Sequence, residues 1–214
     1  MPVLHGVSPS PFVRKVRVVL AEKGIDYELE SVMPGNASNA FRKISPLGKV
    51  PVYQDGEFTL PDSSVISAFL ERTHPEPPLY PSEHRDYGRA LWFEEYADTK
   101  LVEVIAPIFS QRVLQTIIFK QTCDEAIVER QLETVVPPVF DYLDGEVPSD
   151  GWLVGGAFSI ADASLGAMFV SLRHASESVD RDRWPRLSAY VEHAHARPSL
   201  SALIAEEEAS LAAL

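Results

Sequence analysis

The sequence predicts an α+β protein in which an N-terminal βαβ-ββα unit precedes an all-α helical bundle. Three observations predict it. Over residues 1–80, short apolar runs alternate with stripes of helical period. A proline-dense segment, His74-Pro75-Glu76-Pro77-Pro78-Leu79-Tyr80-Pro81, then stops both patterns, because proline lacks the N–H that helix and sheet require. After it, every strong pattern is helical. Charge divides the chain in the same place: residues 1–80 carry 8 Lys and Arg against 9 Asp and Glu, and residues 81–214 carry 11 against 22. The boundaries that follow are a first domain over 1–80, a linker over 81–86 and a helical domain over 87–214.

Each element has its own signal. Val3–His5 is apolar and ends at Gly6, which reads as a short strand. From Phe12 to Glu22, Val13, Val16, Val19 and Leu20 recur at helical spacing with basic residues between them. Ser10 suits the N-cap of that helix, Pro11 its first turn and Gly24 its C-terminal cap. Tyr27–Val32 reads as a second strand and Asn39–Ile44 as a short helix. Pro51–Gln54 and Glu57–Leu60 flank Asp55-Gly56, a strong hairpin signal. Ser63–Thr73 follows as a helix with Val65, Ile66, Phe69 and Leu70 toward the core. That order is the order of a thioredoxin-like domain. In the second domain Arg85–Ser110 is long and amphipathic; Asp124–Leu143, Ile160–Ala175, Arg186–Ala196 and Ser199–Ala209 are further helices.

Composition excludes several function classes. Hydrophobic residues make up 45% of the 214, enough for a substantial core. A net charge of −12 argues against nucleic acid and anionic membranes as partners, since phosphate binding needs clustered Lys and Arg. The single cysteine, Cys123, rules out an intrachain disulfide, a CxxC pair and a cysteine-rich metal site. Met1-Pro2-Val3-Leu4 lacks the look of a signal peptide, and no segment is expected to span a bilayer; Ile160–Leu172 is short and contains Asp162. A cytoplasmic location is the simplest expectation.

A few residues carry chemistry. As an N-cap, Ser10 stands among the free N–H groups of a helix start, where the dipole favours negative charge. A thiol bound there ionises more readily than its usual pKa of ~8.5 allows, and a serine hydroxyl donating to sulfur favours the thiolate. On these residues alone a plain Ser-Pro cap is the simpler explanation, and Ser8 competes for the role. Pro51 opens the third strand; a cis bond there would turn the Val50 backbone toward an extended peptide ligand, while a trans proline would simply start an edge strand. Asp62 and Ser63 open the next helix, placed either to hold an amino and a carboxylate group or only to cap it. Lys49 can reach a second carboxylate or stay solvated. Ser159-Ile160-Ala161-Asp162 is a capping box. The six histidines show no metal-ligand spacing and read as structural or solvated; Cys123 reads as a passive thiol, and Glu206-Glu207-Glu208 as a solvated face.

Taken together, these residues resemble the glutathione transferase superfamily along essentially the whole chain. Ser10-Pro11-Phe12-Val13-Arg14-Lys15-Val16-Arg17 resembles the serine-type active-site segment of the tau, zeta and related bacterial classes. Ser-Pro-Leu-Gly-Lys-Val-Pro at 45–51 is similar to the family's loop before its cis-proline, and Asp62-Ser63 to its Glu/Gln-Ser pair. Phe158–Asp162 resembles its capping motif, and Ala196-Arg197-Pro198 its late-helix Arg-Pro. The resemblance implies that Ser10 donates to the glutathione thiolate. It further implies that Phe12 belongs to the glutathione site, that Val50 and Pro51 dock the cysteinyl backbone, that Asp62 and Ser63 hold the γ-glutamyl end, and that Lys49 faces the glycyl carboxylate. An electrophile site is implied between Phe12 and the long helix, near Phe109 and Arg112.

Two departures are visible. Asp62 is one methylene shorter than the family's Glu, and Pro34-Gly35-Asn36-Ala37-Ser38-Asn39 lacks the basic residue many serine-type members place there, so a modest affinity is expected. The implied function is glutathione transfer to a small hydrophobic electrophile, a detoxification chemistry, in a homodimer and with no metal. A glutathione-dependent cis-trans isomerase is the enzyme alternative; it needs cations for substrate carboxylates, for which Arg112 and Arg173 are the candidates. A transferase-like regulatory protein of the stringent-starvation type is the non-enzymatic one.

Overall fold

The computed structural model describes residues 1–33 and 38–214, and the chain divides into two compact units, Met1–Tyr80 and Pro81–Leu214. The first holds a four-stranded sheet in the order β2-β1-β3-β4. Strand β1 (Val3–His5) runs parallel to β2 (Glu28–Glu30) and antiparallel to β3 (Val52–Asp55), which pairs antiparallel with β4 (Phe58–Pro61). Helices α1 (Pro11–Glu22) and α3 (Ser63–Thr73) pack on each other, and α2 (Phe41–Ile44) is a single turn. This is the expected thioredoxin-like arrangement. Its core is Leu4, Val13, Val16, Val19, Leu20, Val52, Ile66 and Leu70, all fully buried.

Three details depart from expectation. Val65 is 49% exposed, because the buried stripe of α3 runs through Ser63, Ile66, Ser67 and Leu70 instead. The hairpin register pairs Asp55 with Phe58, so the two-residue loop is Gly56-Glu57, with Gly56 supplying the positive φ of 59° at its first position. The basic residues of α1 do not face solvent: Arg14, Lys15 and Arg17 are buried. Arg17 donates to the Tyr27 hydroxyl and to Ser8 Oγ, both at 2.5 Å, and Lys15 Nζ donates to Ser64 Oγ at 2.9 Å. At the helix end, the fully buried Lys23 ammonium pairs with Glu71 (2.8 Å) and donates to the carbonyls of His74 and Pro77. Glu71, half-buried, in turn accepts the N–H groups of Leu79 and Tyr80, so one ion pair ties the proline-rich segment to the unit.

The second unit is helical throughout. Glu83 caps α4 (His84–Tyr96) by accepting the N–H groups of Arg85 and Asp86. Helix therefore begins within the stretch 81–86 expected to be linker. It continues through a wide turn at Ala97–Leu101, α5 (Val102–Phe109) and a second wide turn at Ser110–Ile118, 35 residues in all. By length and hydropathy this run suffices to cross a bilayer, which the sequence reading had not expected of any segment. Its Leu101, Val104, Ile105 and Ile108 are instead packed inside the bundle, where α4 and α5 lie against α8 (Ile160–His174). Helices α6 (Glu125–Arg130), α7 (Val136–Glu146), α9 (Pro185–His195) and α10 (Pro198–Ala212) complete the unit.

Helix α8 is buried from Ile160 to Leu172, and Asp162 organises its start. The fully buried carboxylate accepts from Leu153 N–H, Ser159 N–H, Ser159 Oγ and the Tyr190 hydroxyl at 2.7–3.0 Å. Burial raises its pKa above the usual carboxylate range, and those hydrogen bonds pull it back only in part. At the other end of α8, His174 Nε2 meets Glu207 Oε2 at 2.7 Å with both side chains buried. Glu207 is thus a core residue and not part of a solvated acidic face; only its neighbours Glu206 and Glu208 remain exposed.

Candidate functional site

Strand register brings the expected site residues of the first unit to one end of the sheet. His5 lies opposite Val52, and Val52 opposite Pro61. The end of β1, the start of β3 and the end of β4 are therefore neighbours, and Gly6–Ser10, Lys49–Pro51 and Asp62–Ser63 continue from these three points. A direct bond joins two of them, Asp62 N–H to the Pro51 carbonyl at 3.3 Å. Gly6 permits the approach of α1 to β1, since a Cβ there would stand 2.4 Å from Val13 Cγ2.

Ser10 occupies the N-cap position of α1 with extended backbone (φ −71°, ψ 124°), yet its side chain makes no capping bond. The first intrahelical bond runs from Arg14 N–H to the Ser10 carbonyl, so the Phe12 and Val13 N–H groups precede it and Pro11 has none to offer. Ser8 accepts the Arg17 guanidinium, which leaves Ser10 the better placed of the two hydroxyls. The Val50–Pro51 bond is cis, and Val50 stands outside both ladders of β3, which begin at Val52.

The loop before Val50 is held by Ser45, a residue the motif alone did not single out. Its hydroxyl donates to the Lys49 carbonyl (2.7 Å) and accepts the Lys49 N–H (3.1 Å), and its carbonyl accepts the Gly48 N–H (2.8 Å). The Lys49 side chain is exposed. Asp62 caps α3 through Oδ1, accepting from Ser64 N–H (3.0 Å) and Val65 N–H (3.1 Å). Two donors expected for a ligand carboxylate are thereby taken, which leaves the Ser63 N–H and hydroxyl ahead of them. Asp62 adopts φ 83°, ψ 129°, a region that costs a residue with a Cβ about 1–3 kcal/mol. Lys15 adds a buried ammonium at the first turn of α3 through Ser64; the sequence showed it only as a basic residue between core positions. The loop position lacking a basic residue, Pro34-Gly35-Asn36-Ala37, lies outside the described residues.

The residues expected near an electrophile belong to the second unit. Phe109 is buried at the end of α5. Arg112 pairs with Glu125 (2.7 Å) and Glu177 (3.5 Å), and Arg173 pairs with Glu208 (2.7 Å). The Cys123 thiol is pushed up by burial, then by its hydrogen bond to the Glu125 carboxylate, which disfavours it as a nucleophile. A separate open depression of about 990 Å³ lies wholly within this unit among α8, α9 and α10; of the expected site residues Arg173 lines it, beside its partner Glu208, while Phe109 and Arg112 do not. Among the described residues no group of three or more His, Cys, Asp or Glu side chains is placed to hold a metal ion.

Residues 4–78 match the model of the glutathione S-transferase N-terminal domain and residues 125–193 that of the C-terminal domain. The chain is 31% identical over 204 residues to glutathione S-transferase DHAR3 of Arabidopsis thaliana, covering 92% of this chain and 70% of the relative. It is 30% identical over 202 residues to the GST-like protein YibF of Escherichia coli, covering 92% and 96%. Among solved structures, a glutathione S-transferase of Methylobacterium radiotolerans in complex with glutathione sulfonate superposes with a TM-score of 0.76 at 28% identity, over 95% of this chain and 94% of that one.

Proposed function

Because the chain belongs to the glutathione S-transferase family, we propose that it binds glutathione at this end of the sheet and activates its thiol for attack on a small hydrophobic electrophile. The observation that carries the reading is the uncommitted hydroxyl of Ser10 at the start of α1, beside the Val50-Pro51 and Asp62-Ser63 segments. Glutathione lies with its cysteinyl backbone paired to Val50 beside Pro51 and the Phe12 turn. Its γ-glutamyl carboxylate meets the Ser63 N–H and hydroxyl, its amino group the second oxygen of Asp62, and its glycyl carboxylate Lys49. The thiol loses its proton to solvent; the Ser10 O–H and the N–H groups at the start of α1 stabilise the sulfur anion. The thiolate then forms a carbon–sulfur bond, and the electrophile's leaving group departs with the electron pair. Rate comes from ionisation and from positioning, with no covalent intermediate on the protein.

Transfer is favoured over isomerisation because both cations that would serve a diacid substrate, Arg112 and Arg173, are already paired with carboxylates. Calorimetry of glutathione binding, with thiolate absorbance followed against pH, tests the reading. The wild type is expected to bind with the thiol pKa lowered, and Ser10→Ala to raise that pKa by about one unit or more. Absence of binding at millimolar glutathione would overturn it in favour of a partner-binding protein.

A further inference from the structure

We infer that Ser45 is a positioning residue of the glutathione site, acting through the backbone of Lys49 to fix the segment that presents Val50; this rests on the function proposed above. Ser45 is 1% exposed and lies just after α2. One hydroxyl uses both its capacities on one residue, donating to the Lys49 carbonyl and accepting the Lys49 N–H. The five-residue loop Ser45–Lys49 is closed a third time by Gly48 N–H to the Ser45 carbonyl, with Gly48 at φ 64°.

The consequence is an accounting of polar groups. Both Lys49 backbone groups are spent inside the loop, whereas Val50, the next residue, precedes the first paired position of β3. The donor and acceptor left for an extended peptide are therefore those of Val50: its N–H lies in the Lys49–Val50 peptide plane that Ser45 clamps, and its carbonyl in the adjoining cis Val50–Pro51 plane. Ser45 also anchors the stem from which the exposed Lys49 side chain reaches out. Removing the hydroxyl leaves a part-buried N–H and carbonyl to find new partners, and the loop then samples orientations in which Val50 is misaimed. The hydrogen bonds of Ser45 run to Phe41, Gly48 and Lys49 and not to α1, so the activation of the thiol is expected not to depend on it.

That separation makes the test specific. Glutathione affinity and the pKa of the bound thiol are measured for the full-length wild type, Ser45→Ala, Ser45→Cys and Ser45→Thr, each checked for folding by circular dichroism. Ser45→Ala is expected to weaken binding five- to twentyfold with the bound thiol pKa unchanged. Ser45→Thr, which keeps the hydroxyl, restores most of the affinity. Ser45→Cys keeps the volume and weakens both bonds, so it gives an intermediate loss and still reports if the alanine variant fails to fold. Wild-type affinity in the cysteine and alanine variants, or a rise in thiol pKa in either, would overturn the assignment. Loss of binding in the wild type itself would instead overturn the proposed function.

Discussion

Tyr190 and Asp162 show how one buried contact sets a pH dependence. The Tyr190 hydroxyl donates to Asp162 Oδ1 at 2.7 Å, and its pKa is driven well above the usual tyrosine value, by burial first and by the Asp162 charge next. In the unfolded chain the same phenol ionises near its ordinary value of ~10. Above that pH the unfolded state releases a proton that the folded state keeps, so stability is full below pH ~10 and falls as pH rises beyond it. Tyr96 adds to the same limb, its pKa pushed up to about 12 by burial and then by Tyr142. Tyr190→Phe is expected to cost about 1.5–3 kcal/mol at neutral pH, from the lost bond to a charged acceptor. It should also flatten, without abolishing, the decline above pH 10, because Tyr96 still titrates. Chemical denaturation from pH 8 to 12 measures both; an unchanged alkaline slope would mean that Tyr190 ionises in the folded state. Asp162 itself carries the same sign at acid pH: its raised pKa makes its contribution largest below pH ~4 and lost as pH climbs through the folded value.

At the scale of elements, the position of α1 depends on the absence of a side chain at Gly6. A Cβ there would meet Val13 Cγ2 at 2.4 Å and Cγ1 at 3.3 Å, and Val13 is a fully buried, stiff side chain. Gly6→Ala is expected to push α1 from β1 and destabilise the unit by about 1–3 kcal/mol. It should also weaken glutathione, since Ser10 travels with the helix start. Trimming Val13 to Ala in the same chain should recover part of the loss. A double-mutant cycle on unfolding free energy checks this: a coupling near zero would show that the clash is relieved elsewhere. Elements of this kind were legible in the sequence wherever period and punctuation agreed. Ser10-Pro11 and Gly24 bracket α1, and Asp62-Ser63 opens α3. They were less legible where a tertiary contact decides. The hairpin loop moved by one residue to put Gly56 at the position needing positive φ. The helix of the second unit ran past Ser110 to Ile118 because apolar positions continue through its wide turns.

For the whole molecule, what the sequence could not express is which charges lie inside. Lys15, Lys23 and Glu207 look solvated by type and are buried because each finds a partner far along the chain: Ser64, Glu71 and His174. The clamp that Ser45 forms is illegible in the motif for the same reason, since its two bonds close only when the loop folds. The order of motifs, by contrast, is a one-dimensional property, and it carried the two-unit architecture and the segments of the candidate site. One whole-molecule feature is still open to test, the association of two chains. In the second unit Tyr87, Leu91 and Trp92 are exposed on α4, with Trp92 51% accessible. Trp92 donates to the Tyr142 hydroxyl at 2.8 Å, and Tyr96 packs at a tilt against both rings, so the aromatics form a fixed surface and not scattered tips. Ordered, exposed aromatic surface is what a protein–protein contact uses, since rigid rings lose little entropy when covered. The expected state is a homodimer joined across the long helix. Sedimentation equilibrium should give about twice the 23.7 kDa chain mass, and Trp92→Glu should shift the population to monomer by placing an unpaired charge in the contact. A wild type that sediments as a monomer at 100 μM, or a Trp92→Glu variant that stays dimeric, would place the aromatic surface outside any self-association.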